Sequence, residues 1–156
     1  MTKTNVMRML DVEKIDYRTA EYEYSETDLS GVHAAQAIDM PAEQVFKTLV
    51  TKGDKTGAIV FVIPVAEELD LKKAAKASHN KSIEMLHVKD LLGLTGYIRG
   101  GCSPIGMKKK LATYIDETAG LFDEISISAG VRGCQVIINP EDLIKFIDAK
   151  ESDLTA

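Results

Sequence analysis

Cysteine is scarce in this chain: Cys102 and Cys134 are the only two, 32 positions apart, with no CxxC pair and no histidine at zinc spacing. A disulfide scaffold and a zinc finger are therefore excluded. The three histidines, His33, His79 and His87, follow no ligand spacing, and neither HExxH nor an acidic calcium loop occurs, so no metal is expected. GxxxxGK[ST] and GxGxxG are missing as well, which removes the common nucleotide cradles, and no cofactor is expected. No apolar run reaches the roughly 18 residues of a membrane helix, and no hydrophobic stretch of signal-peptide type follows Met1 to Asn5. The expected location is the cytoplasm, with no membrane partner. An excess of positive charge is also lacking. With 19 basic against 24 acidic residues the net charge is −5, too acidic for a non-specific grip on nucleic acid.

What remains is an ordinary globular composition, 45% hydrophobic and 28% charged over 156 residues. One domain over 1–156 is expected. At this size folding buries roughly 70% of the surface, enough for a core without staples. The cations are unevenly spread: Lys72, Lys73, Lys76 and Lys81 fall within ten residues, and Lys108, Lys109 and Lys110 are consecutive. Either cluster suits phosphate contact or a solvated face.

Apolar residues at three- and four-residue spacing predict a helix over 4–14, capped by Thr2 or Thr4. Alternation predicts a strand over 17–24. Ser30 is placed to cap a helix over 32–38, and Pro41 to open a short one. An apolar segment over 46–51 and an unbroken β-branched and aromatic run over 58–63 flank a turn at 52–57, and the second run reads as a buried strand. Helices are expected over 71–77 and 88–92, then strands over 112–116, 124–128 and 135–138, and a closing helix over 141–149 behind Asn139 and Pro140. Short turns and small helices between strands indicate an α+β domain whose mixed, mostly antiparallel sheet curls into a barrel-like form.

Few residues carry chemistry. Lys47 stands in the run Val45-Phe46-Lys47-Thr48-Leu49-Val50, where its ammonium either escapes to solvent or serves an anion beside a cleft. The loop Gly100-Gly101-Cys102-Ser103-Pro104-Ile105-Gly106 is either a tight turn or a site where backbone N–H groups approach a ligand. Cys102 needs a base to become a nucleophile, and none is near it in sequence.

Four ordered blocks add a stronger signal. Phe46-Lys47-Thr48-Leu49, Leu69-Asp70-Leu71-Lys72-Lys73-Ala74-Ala75-Lys76, Thr95-Gly96-Tyr97 running on to Gly100 through Gly106, and Ser128-Ala129-Gly130-Val131-Arg132-Gly133 resemble the YbaK/EbsC family along nearly the whole chain. The resemblance implies a single α+β domain, related to the editing domain of prolyl-tRNA synthetase, that removes cysteine mischarged onto proline tRNA. Its partners would be Cys-tRNA(Pro) and, transiently, the synthetase. It implies Lys47 and the Gly100–Gly101 backbone as the catalytic elements, and Tyr22, Thr48, Cys102, Ser103, Pro104, Ser128 and Arg132 as substrate-binding residues. Lys72, Lys73, Lys76, Lys108, Lys109 and Lys110 would meet tRNA phosphates. The substrate's own thiol would attack its ester, giving a thiolactone and free tRNA. Two positions depart from the family: Cys102 stands where an aliphatic residue is usual, and Ala129 where a glycine is. The alternatives are deacylation of Ala-tRNA or another small aminoacyl-tRNA by water attack, and a tRNA-binding module without turnover.

Overall fold

The computed structural model describes residues 2–156. Its helices are α1 (Asn5–Val12), α2 (Gly31–Ala37), α3 (Leu71–Ser78), α4 (Val88–Thr95) and α5 (Pro140–Ile147). The strands are β1 (Tyr17–Glu21), β2 (Phe46–Gly53), β3 (Gly57–Pro64), β4 (Ile83–Met85), β5 (Thr113–Asp116), β6 (Ile125–Ser128), β7 (Cys134–Ile138) and β8 (Lys150–Ser152). Four helices begin where a side-chain oxygen takes up orphan N–H groups, which is why each starts there. Thr4 accepts from Met7, Ser30 from His33, Asp70 from Lys72 and Lys73, and Asn139 from Glu141 and Asp142.

The expected mixed, mostly antiparallel sheet is present as two ladders. One is antiparallel, β1-β7-β6, and the other runs β4-β2-β3-β5-β8 with β3, β5 and β8 parallel. A parallel bridge between Val45 and Ser126 ties them together. Strand β3 explains its own composition: Val60 and Val62 enter the main core with α1, β6, β7 and α5, while Ile59, Phe61 and Ile63 enter a second core under α3. Both faces are buried, so no polar alternation survives. Phe61 also stacks on Tyr114, ring centroids 5.6 Å apart.

Some boundaries differ from the sequence expectation. The first strand stops at Glu21 because its partner β7 begins at Cys134, opposite Glu21, and only Tyr22 N–H reaches on to Gly133 O. After Pro41 the chain makes a single 3-10 turn, Ala42–Gln44, and α4 extends to Thr95 before Gly96 ends it at φ +83°. Strands β4 and β8, three residues each, were not foreseen, since so short a segment shows no periodicity.

The β2–β3 hairpin is pinned from outside by Asn80. Its Oδ1 accepts from the N–H of Lys55 (2.9 Å) and Thr56 (3.1 Å), and its Nδ2 donates to Ser78 and Thr56 hydroxyls. Truncating a buried hub of this kind strands backbone donors, so Asn80→Ala is expected to lower unfolding free energy by about 2–3 kcal/mol. Chemical denaturation measures this; a loss below about 0.5 kcal/mol, within the ordinary range of surface substitutions, would show the loop to be held by other contacts.

Candidate active site

The site begins with which way β2 turns its backbone. Val65 N–H donates to Val45 O (2.8 Å) and Leu86 N–H to Val50 O (3.1 Å), so odd-numbered backbone groups face β3 and even-numbered ones face the opposite edge. That edge pairs with β4 only at Thr51–Gly53 and meets β6 only through the Val45–Ser126 bridge. No strand pairs with the stretch between, and a cleft of about 390 Å³ opens there.

The cleft gathers Lys47, Thr48, Tyr22, Gly100, Cys102 and Ser128, six of the residues singled out from sequence, from four separate segments. Thr48 Oγ1 is buried and has no hydrogen-bond partner among the described residues. Ser128 Oγ accepts from Gly130 N–H at 3.1 Å, which holds the turn after β6. Gly100 sits at φ +88°, and the N–H groups of Gly100 and Cys102 find no acceptor among the described residues. Apolar walls come from Leu29, Phe46, Val50, Leu86 and Leu91; among the described residues no carboxylate and no imidazole lines the cleft.

The other expected residues lie outside the lining. Gly101 N–H is spent on Ile98 O (3.0 Å), and a Cβ on Gly101 would sit 3.1 Å from the backbone of Val131, so this glycine serves close packing rather than donation to a ligand. Ser103 is fully buried and its hydroxyl accepts from Ile105 N–H. Pro104 faces a second hollow beside Met9 and Phe146, one whose lining includes Lys109 and Lys110. Arg132 braces the loop from behind: its Nε donates to Arg99 O at 2.8 Å, and Nη1 lies 3.9 Å from Glu26. Lys72, Lys73 and Lys76 ride on α3 over the second core, and Lys73 is held by Asp153 (2.9 Å) and Thr155 O (2.7 Å). Lys108 likewise is not among the lining residues. Ala129 is fully inside the main core, so its methyl takes no space from the cleft.

Sequence reading missed two polar lining residues. Gln135, 6% exposed, accepts from Ser126 Oγ at 2.9 Å through its Oε1, and in the strand run over 135–138 it reads only as an alternating polar position. Arg99 stands at the open side of the cleft; its signal was its place directly before Gly100.

A family model for the aminoacyl-tRNA editing domain matches residues 29–146, which takes in all of the cleft except Tyr22. The chain belongs to the aminoacyl-tRNA editing domain family. A protein of Enterococcus faecalis, EbsC, proposed to be a Cys-tRNA(Pro)/Cys-tRNA(Cys) deacylase, is 50% identical to it over 153 residues, 98% of this chain and 93% of the other. The editing fold recurs in solved structures. One, proposed as a trans-editing enzyme for prolyl tRNA synthetase, superposes with a TM-score of 0.83 at 24% identity, covering 100% of this chain and 99% of that one. Another, a hypothetical protein, reaches 0.88 at 16% identity over 98% and 100% of the two chains.

Two groups in the editing domain's cleft are shifted by burial, in opposite functional senses. Desolvation pulls the Lys47 ammonium below the ordinary lysine range, opposed in part by the charges of Glu68 and Glu67. Desolvation pushes the Cys102 thiol up to about 12, so at neutral pH it is un-ionised and a poor nucleophile. Native protein at pH 7.5 is therefore expected to leave Cys102 unalkylated by iodoacetamide, while denatured protein reacts at both cysteines; peptide mapping reads this, and rapid native labelling at Cys102 would contradict it. For Lys47 the sign is the reverse of a salt-bridged lysine. Its native pKa lies below the unfolded one, so its cost to folding is present at neutral pH and is relieved as pH rises through the native pKa. Lys47→Met is expected to be at least as stable as the parent at pH 7, the difference closing toward pH 10; a lower melting temperature would refute it.

Proposed function

We propose that this protein is a trans-editing deacylase that clears cysteine from mischarged tRNA(Pro), and from tRNA(Cys), by placing the substrate's thiol against its own ester. The observation that supports this reading most directly is the composition of the cleft: a desolvated ammonium and unused backbone N–H groups, with no carboxylate or imidazole to serve as base. The 50% identity to EbsC points the same way.

The step needs no protein nucleophile. Sulfur attacks the ester carbonyl carbon, the C–S bond forms, the bond from that carbon to the ribose oxygen breaks, and the thiol proton ends on that oxygen. The products are a thiolactone and free tRNA. A cysteine thiol with pKa near 8.5 is a few per cent thiolate at pH 7, whereas a serine hydroxyl is scarcely ionised. Holding sulfur and carbonyl in attack geometry is worth about 7–11 kcal/mol, which makes positioning the main source of rate. Lys47 and the N–H groups of Gly100 and Cys102 would meet the negative charge that develops on the carbonyl oxygen. Thr48 Oγ1, without a partner among the described residues, would bond the bound aminoacyl group, with Tyr22, Ser128 and Gln135 closing the pocket around it.

Free mischarged tRNA is soon captured by the translation machinery, so a transient complex with prolyl-tRNA synthetase would give this enzyme first access. The lysines at 108–110, close to the 100–106 loop, would contact acceptor-stem phosphates.

Cys-tRNA(Pro) should be deacylated at least 100-fold faster than Ser- or Ala-tRNA(Pro), and Lys47→Ala should lose most of that activity while Cys102→Ala keeps it, because a substrate-assisted route uses the substrate's sulfur and not the protein's. Quenched-flow mass analysis of the first product checks the chemistry: a thiolactone agrees, and a covalent adduct on Cys102 refutes it. Equal rates on Cys- and Ala-tRNA(Pro) would favour water attack instead.

A further inference from the structure

We infer that Arg99 holds the phosphodiester joining the last two nucleotides of the tRNA acceptor strand, and that Arg132 is the strut that aims it. Arg99 stands among the residues lining the cleft, is exposed, and makes no hydrogen bond or ion pair through its guanidinium among the described residues. Most of the protein's other candidate phosphate ligands lie elsewhere. Lys73 is paired with Asp153, Lys72 and Lys76 share its helix, none of the three lines the cleft, and Lys109 and Lys110 border a separate hollow.

The backbone around Arg99 is fixed with care. Arg132 Nε donates to Arg99 O at 2.8 Å, Gly101 N–H closes a turn onto Ile98 O, and Gly100 at φ +88° packs so closely that a Cβ would fall 3.2 Å from Leu29. Glu26 lies 3.9 Å from Arg132 Nη1, and no ion pair joins a carboxylate to Arg99 among the described residues. An unpaired guanidinium on a braced turn, next to the N–H groups that would receive the ester, suits the two non-bridging oxygens of a phosphodiester about one nucleotide from the reacting carbon.

This inference rests on the editing function, but it is tested by binding alone. Affinity is measured for an uncharged acceptor-stem microhelix, once with a normal terminal phosphodiester and once with an uncharged methylphosphonate at that linkage, for the parent protein and for Arg99→Gln. The parent should lose affinity for the methylphosphonate by about tenfold, the scale of one charge-assisted contact. Arg99→Gln should start that much weaker on the normal RNA, suffer less than about twofold further loss, and show a salt slope shallower by about 0.7, the value for one single-strand phosphate. Arg132→Met, which keeps bulk but removes the strut, should move in the same direction. Full, additive losses in both the variant and the modified RNA would overturn the assignment, as would equal affinity of Arg99→Gln and parent for the normal RNA. Failure of cysteine release from Cys-tRNA(Pro) by the parent would instead count against the editing reading, which the binding cycle does not use.

Discussion

Everything in the cleft depends on β3 being buried on both faces. With one core between the two sheets and another under α3, β3 takes both its edges from neighbours, β2 on one side and β5 on the other. Closure against the smaller sheet then falls to the outer edge of β2, and that edge has too few partners. The ladder with β4 ends at Thr51, with one more bond from Leu86 N–H to Val50 O, and backbone pairing with β6 is a bridge at Val45. The middle of β2 is left as an interrupted seam lined by side chains and backbone. An exposed edge of this kind is ordinarily a liability, and here it is covered on its flanks by α2, α4 and the 100–106 loop. What they leave uncovered is the cleft.

The same geometry accounts for the state of Lys47. An ammonium in an apolar run is expensive to bury, and at mid-strand it would be driven to water. At the start of β2 it lies beside the seam, desolvated enough for its pKa to fall yet still within range of the Glu67 and Glu68 charges. A cation with incomplete solvation is worth more to a developing oxyanion than a fully hydrated one, because less water must be displaced when charge appears. Folding carries that desolvation cost in advance, which is the physical meaning of preorganisation here.

Much of this was legible in the sequence for a definite reason. The strands around the site are long or strongly apolar, so periodicity finds them, and the helix caps Thr4, Ser30 and Asn139 announce themselves by residue type. The contents of the cleft were legible from local sequence at Lys47 and Gly100, and through the family resemblance at Thr48, Ser128 and Tyr22. They were not where the role is set by contacts across the fold. The family resemblance gave Gly101 as a catalytic element and Arg132 as a substrate contact; in the structure Gly101 packs against Val131 and Arg132 donates to Arg99 O, and neither lines the cleft. Gln135 went unnoticed because nothing in a strand's alternation says which polar residue meets a cleft. Strands β4 and β8 are too short to leave a pattern at all.

The lysine clusters teach the most about reading charge. Cations adjacent in sequence look like a patch, but the three lysines on α3 are not among the residues lining the cleft, and Lys73 is tied down by Asp153. A single arginine in a glycine loop looked like background. What distinguishes Arg99 in the structure is not how many charges lie together but that it lines the cleft and that its own carbonyl is held by Arg132. An acidic protein at −5 overall gains little from diffuse attraction to RNA. On the proposed reading its grip would come from individual groups fixed beside the ester, where one oriented guanidinium would both add affinity and set the register in which the aminoacyl end enters the seam.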